Sequence, residues 1–113
     1  MKFLQSERET LIGFVKNAVD YCENIESGNS KAANLAEKRN NKIVAQLGDF
    51  STDFLKPLLS YPSNSVRFVA AAHLMKTEVR DDAAKVLHNL ARCPSGLMAL
   101  SARAILDIYS NVS

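Results

Sequence analysis

From Leu55 to Leu74 the chain reads Leu55-Lys56-Pro57-Leu58-Leu59-Ser60-Tyr61-Pro62-Ser63-Asn64-Ser65-Val66-Arg67-Phe68-Val69-Ala70-Ala71-Ala72-His73-Leu74: a helix, a tight polar turn and a second helix. Such a pair carries more apolar surface than its own two members cover, so it must lean on neighbouring pairs. Stacked pairs form a curved slab with broad faces, an architecture suited to binding macromolecules.

The same spacing recurs on both sides of that stretch. Ser6-Glu7-Arg8-Glu9 has the form of a capping box, in which the serine oxygen and the glutamate satisfy free amide donors, and it predicts a first helix from about residue 7. The apolar seam of that helix is Leu11, Val15, Ala18, Cys22 and Ile25, widened by Ile12, Phe14 and Val19, and Gly28 supplies a left-handed stop. Asn29 and Ser30 cap a second helix through Ala33, Ala36, Ile43, Val44 and Leu47, ended by Gly48. Asn40 falls on its seam. Leaving a buried amide unpaired costs about 1–3 kcal/mol, so it is either hydrogen-bonded to a neighbouring loop or a sign of loose cover, and the first reading is preferred.

A third helix is expected over Thr52 to Ser60, with Phe54, Leu55, Leu58 and Leu59 inward and a bend at Pro57. Pro62-Ser63-Asn64-Ser65 caps a fourth, whose apolar positions are Val66, Val69, Ala70, His73 and Leu74. Asp81 and Asp82 fit the positive end of a fifth, with Ala83, Val86, Leu87 and Leu90 as core. Cys93-Pro94-Ser95-Gly96 breaks the chain before a last helix carrying Leu97, Leu100, Ala104, Ile105 and Ile108. The fold class expected is therefore all-α: a six-helix short α-solenoid of three antiparallel pairs, single-domain over residues 1–113, with a plain six-helix bundle as the alternative. Three pairs are close to the minimum that buries a continuous seam, so stability assisted by a partner, or self-association through an end helix, is in keeping with the pattern.

The longest uncharged apolar run falls far short of the roughly 18 residues that span a bilayer. Met1 to Leu4 lack the apolar core of a secretory signal, so a soluble, cytoplasmic protein is expected. Cys22 and Cys93 have no CxxC partner and are read as small buried apolar residues. The net charge of +2 is spread over the whole chain and supplies neither the basic field of a nucleic-acid binder nor an acidic tail.

The string from Leu58 to Leu74 resembles the HEAT-repeat signature, in which an apolar helix ends in a Pro-containing turn and Val-Arg, here Val66-Arg67, opens the next helix. Residues 83–106 resemble a degenerate second copy through Ala83, Val86-Leu87, Leu90-Ala91 and Ala102 to Leu106, without the Val-Arg element. Over nearly its whole length the chain resembles a small bacterial HEAT-like family: a long helix pair, then Leu-Leu, a Pro turn, Val-Arg, Ala-Ala and a closing pair. Members often lie beside polymorphic toxins. The resemblance therefore implies an immunity protein of the contact-dependent growth inhibition type, a cytosolic antitoxin that occludes the active site of one cognate toxin domain. Nothing in composition or periodicity leads there.

Asp20, Glu23 and Glu26 gather at the end of the first helix, where negative charge opposes the helix dipole, so local stability does not explain them. A nuclease toxin needs a basic groove for phosphates, and carboxylates mimicking that substrate would speed encounter. Asp49, Asp53 and Asp107 are further candidates for the partner-binding set; the alternative for all six is a solvated charged surface. Phe68 sits off the Val66, Val69, His73 stripe and is read either as an exposed aromatic anchor for the partner or as core. Arg67 is expected to reach an acidic group or carbonyl of the adjacent repeat, with a phosphate or carboxylate ligand as the alternative.

Lys38, Arg39 and Lys42 form a basic patch without interleaved aromatic residues, which is more simply a solvated helix face than a nucleic-acid site. His73 is read as a hydrogen-bonded core histidine and His88 as exposed; neither has a metal-ligand partner on its own helix face. The glycines are isolated helix stops and form no phosphate loop. The pattern is that of a non-enzyme with no cofactor, no metal and no small-molecule substrate, whose partner is a toxin domain. A generic HEAT-like adaptor and a nucleic-acid-binding helical repeat are the competing readings, separable by the neighbouring genes and by a gel shift.

Overall fold

Apolar side chains recurring every three or four residues coil this chain into helix after helix, and a computed structural model describes residues 2–92 and 96–110 of it. In order these are α1 (Lys2–Glu26), α2 (Ser30–Leu47), a 3-10 turn (Gly48–Phe50), α3 (Ser51–Leu55), a second 3-10 segment (Lys56–Ser60), α4 (Asn64–Leu74), α5 (Arg80–Ala91) and α6 (Leu97–Ser110). No strand occurs among the described residues. Cys93, Pro94 and Ser95, where the sequence predicts a break, lie outside them.

Contacts divide the chain into two compact units, Met1–Asp49 and Phe50–Ser113, where one domain over 1–113 was expected. In the first unit α1 starts at Lys2, so Ser6 lies inside the helix and the capping box does not set its beginning. Nothing in Lys2-Phe3-Leu4-Gln5 breaks a helix, and each residue added to a formed helix gains a hydrogen bond. Its end matches the sequence reading. Gly28 takes φ +80°; its N–H donates to the Ile25 carbonyl at 3.1 Å, while the Asn29 N–H donates to the Asn24 carbonyl at 2.8 Å. That pair of bonds is a Schellman closure. The Asn29 side chain then accepts from the Ala32 N–H at 3.1 Å and starts α2. The short connection returns α2 along α1, and where the two helices pack Phe14, Ala18 and Cys22 of α1 and Ala33 and Ala36 of α2 are buried. Ile12, assigned by its spacing to the apolar face, is exposed.

In the second unit the expected third helix is a composite. Pro57 has no N–H, and its ring would strike the carbonyl four residues back, so the α-helix ends at Leu55 and the chain tightens to 3-10 geometry through Ser60. Ser63 caps α4 by accepting from the Val66 N–H. α4 packs against α5, α6, α3 and the Lys56–Ser60 segment, and Ala70 and Ala71, fully buried, let those neighbours approach closely. Leu55, Leu58, Leu59, Leu74, Leu87 and Leu90 complete this core.

α6 departs most from its sequence pattern. Leu97, Leu100 and Ile108, expected inside, are 41%, 57% and 61% exposed, and Ala104 is exposed with them; Ala99 and Ala102 are buried instead. The helix is apolar on two sides. α6 packs against α5 and α4, and its buried positions are alanines, whose small side chains permit a close approach of helices.

Candidate functional site

Asp20, Glu23 and Glu26 stand three residues apart on the last turns of α1 and so share one flank, Asp20 half-buried and the two glutamates exposed. Among the described residues no basic side chain pairs with Asp20 or Glu23. Tyr21 lies half-buried beside them. Burial first, then the Glu37 carboxylate across on α2 and Cys22, raise its phenol above the ordinary 10.0, so Tyr21 stays a neutral hydrogen-bonding group next to the acidic flank. The sequence reading missed Tyr21; its signal was an aromatic residue between the seam and the acidic flank.

The remaining acidic candidates are not part of that cluster. Asp49 is exposed in the Gly48–Phe50 turn that closes the first unit, while Asp53 on α3 and Asp107 on α6 are exposed in the second. Lys38, Arg39 and Lys42 are exposed on α2.

Phe68 is no exposed anchor: it is 4% exposed and belongs to the core. A stripe on a helical wheel finds the buried side only of a helix covered from one direction, and α4 is covered from several. Arg67 takes the structural role in part. Its Nη1 donates to the Tyr61 carbonyl at 3.1 Å and its Nη2 to Asn64 Oδ1, tying the Pro62 turn to the start of α4. No acidic group of an adjacent repeat meets it among the described residues. Beside it opens a groove of about 440 Å³ between α4 and α5, floored by Leu59, Val86 and Leu90 and rimmed by Asn64 and Asn89.

Asn40 is buried as expected, but its partners are on a helix and not a loop. Its Oδ1 accepts from Asn17 Nδ2 at 3.1 Å, and its Nδ2 donates to the Phe14 carbonyl at 3.2 Å. Among the described residues no buried side-chain nitrogen or oxygen lacks a partner. His73 is half-buried, and desolvation first, then the Lys76 ammonium, hold its pKa below the ordinary 6.5; His88 is exposed. No group of three or more His, Cys, Asp or Glu among the described residues is placed to hold a metal ion, and no helix there is long and apolar enough to cross a membrane.

Among the described residues, the first unit carries an acidic flank on α1, and the second carries a partly exposed apolar stripe on α6 and a small groove beside the Arg67 guanidinium. Comparison with family models, curated proteins and solved structures returned no match.

Proposed function

We propose that this chain is a non-catalytic binding protein, an immunity protein that seizes the catalytic domain of a cognate toxin in the cytoplasm and occludes its active site, with a nuclease as the target. Its helical segments are read as the pairs of a short HEAT-like solenoid, used for area and not for chemistry. The observation that carries the binding role is the stripe on one side of α6, where Leu100 and Ile108 are more than half exposed and Leu97 is 41% exposed. Uncovered apolar stripes of this kind mark protein interfaces, because association removes them from water at about 25 cal/mol per Å².

The antitoxin role itself comes from the resemblance of Leu58 to Leu74 and its surroundings to the HEAT-like immunity family. The acidic flank of Asp20, Glu23 and Glu26 supports a nuclease target, whose phosphate-binding groove must be basic. Co-expression with the C-terminal domain of any large exoprotein whose gene adjoins that of this chain tests the reading. A complex that survives size-exclusion chromatography and protects growth is expected, and Leu100→Glu with Ile108→Glu should abolish both. Neither complex nor protection with the unaltered chain overturns it.

A further inference from the structure

We propose that the groove between the start of α4 and α5 is a receptor for a carboxylate carried on a small apolar body. The inference is independent of the toxin reading, since it concerns a different element and a ligand of opposite charge. Three observations meet there. Arg67 is the one charged residue lining the groove; it is half-buried, and among the described residues no carboxylate neutralises it. Its fork is already fixed in orientation by the Tyr61 carbonyl and Asn64 Oδ1, which use two of a guanidinium's five N–H donors and leave three. Holding a donor in place before the ligand arrives removes an ordering cost from binding. The floor is apolar, with Leu59 and Leu90 buried and Val86 half-buried, while Asn64 and Asn89 add amide donors at the rim.

The bonds that tie the Pro62 turn use part of the Arg67 guanidinium and neutralise none of its charge. Arg67 stands in the first turn of α4, whose amide end already carries positive potential, so the guanidinium and the helix oppose one another and both favour an arriving anion. The volume of about 440 Å³ falls within the range of small-ligand clefts and excludes nothing the size of one amino-acid side chain with its carboxylate. A bare phosphate would engage the guanidinium but leave the leucine floor wet. A carboxylate on an aliphatic stem fills both, whether it is a chain-terminal carboxylate or an acidic side chain.

The test is a nitrogen-15 NMR titration of the whole chain, following the side-chain amides of Asn64 and Asn89. N-acetylleucine stands for a chain end, N-acetylglutamate amide for an acidic side chain, and N-acetylleucinamide and inorganic phosphate serve as controls. At least one carboxylate should shift both amides saturably, and the stronger of the two identifies the source. N-acetylleucinamide and phosphate should each bind about tenfold more weakly, the loss of one charge-assisted pair or of the apolar contact. Asn89→Asp, an exposed rim substitution that supplies its own carboxylate, should weaken carboxylate binding by about tenfold or more with the rest of the spectrum unchanged. Arg67→Lys should weaken it by severalfold through loss of the fork. Equal binding of acid and amide, phosphate matching the carboxylates, no saturable shift, or an unaffected Asn89→Asp variant would each overturn the proposal.

Discussion

Two asparagines decide how the first unit tolerates substitution. Asn17 and Asn40 are buried together, one amide donating to the other, and the second closing on the Phe14 carbonyl. Asn40→Leu leaves the Asn17 amide buried and unpaired, so a loss of about 1–3 kcal/mol is expected in urea unfolding followed by circular dichroism. Adding Asn17→Leu removes the stranded group and should recover most of that loss, an outcome that a simple packing defect at Asn40 would not give. In the second unit His73 sets a pH dependence. Its folded pKa lies below 6.5, pushed there by burial and then by Lys76, whereas in the unfolded chain it returns to about 6.5. Between those two values the unfolded chain binds more proton, so the contribution of His73 is complete above 6.5 and is lost as the pH falls through that window. Thermal melts from about pH 7.5 down to about pH 5.5 should show falling stability, and His73→Gln should flatten the slope there.

The helix ends show how elements follow from single residues, and where that logic stops. Gly28 was legible because only a residue without Cβ enters φ +80° cheaply, and the surroundings confirm that the backbone and not space is the constraint: nothing lies within 4 Å of where a Cβ would stand. Gly28→Ala should therefore cost about 1–2 kcal/mol. Gly13, in the interior of α1, is the opposite case. Its backbone is right-handed, and an added methyl would rest 3.8 Å from Ile43 Cδ1, an ordinary contact. Gly13→Ala should stabilise the unit by about 0.5–1 kcal/mol, and the pair of variants compared by thermal denaturation separates backbone strain from crowding. What spacing could not show was which side of a doubly apolar helix is covered. Phe68 was placed off the stripe yet is buried, since α4 has neighbours on several sides, and Leu100 was placed on the stripe yet is exposed, while the alanines Ala99 and Ala102 take the covered side of α6. Ser6 failed as a start signal for a related reason: a cap ends a helix only where the preceding residues resist joining it.

Across the whole molecule the net charge of +2 conceals a local excess of the other sign, and that excess is the part of the candidate site that the sequence disclosed. Asp20, Glu23 and Glu26 were conspicuous because their charge works against the dipole of α1, a cost that a surface kept only for stability would shed. The groove beside Arg67 was hidden, since its floor and rim come from residues more than twenty positions apart in the chain. Distance in sequence hides a site in a way that charge on one helix face does not. If the acidic flank steers a basic partner, its effect belongs to the rate of encounter, because exposed charges act over about 8 Å at physiological salt and contribute little once a complex has formed. Glu23→Lys with Glu26→Lys should then slow association with the proposed toxin partner by about tenfold at low salt, with the dissociation rate almost unchanged. Raising the salt should slow the unaltered protein until the two association rates converge. Equal rates at low salt would remove the flank from the encounter, while a change confined to dissociation would place it inside the finished interface.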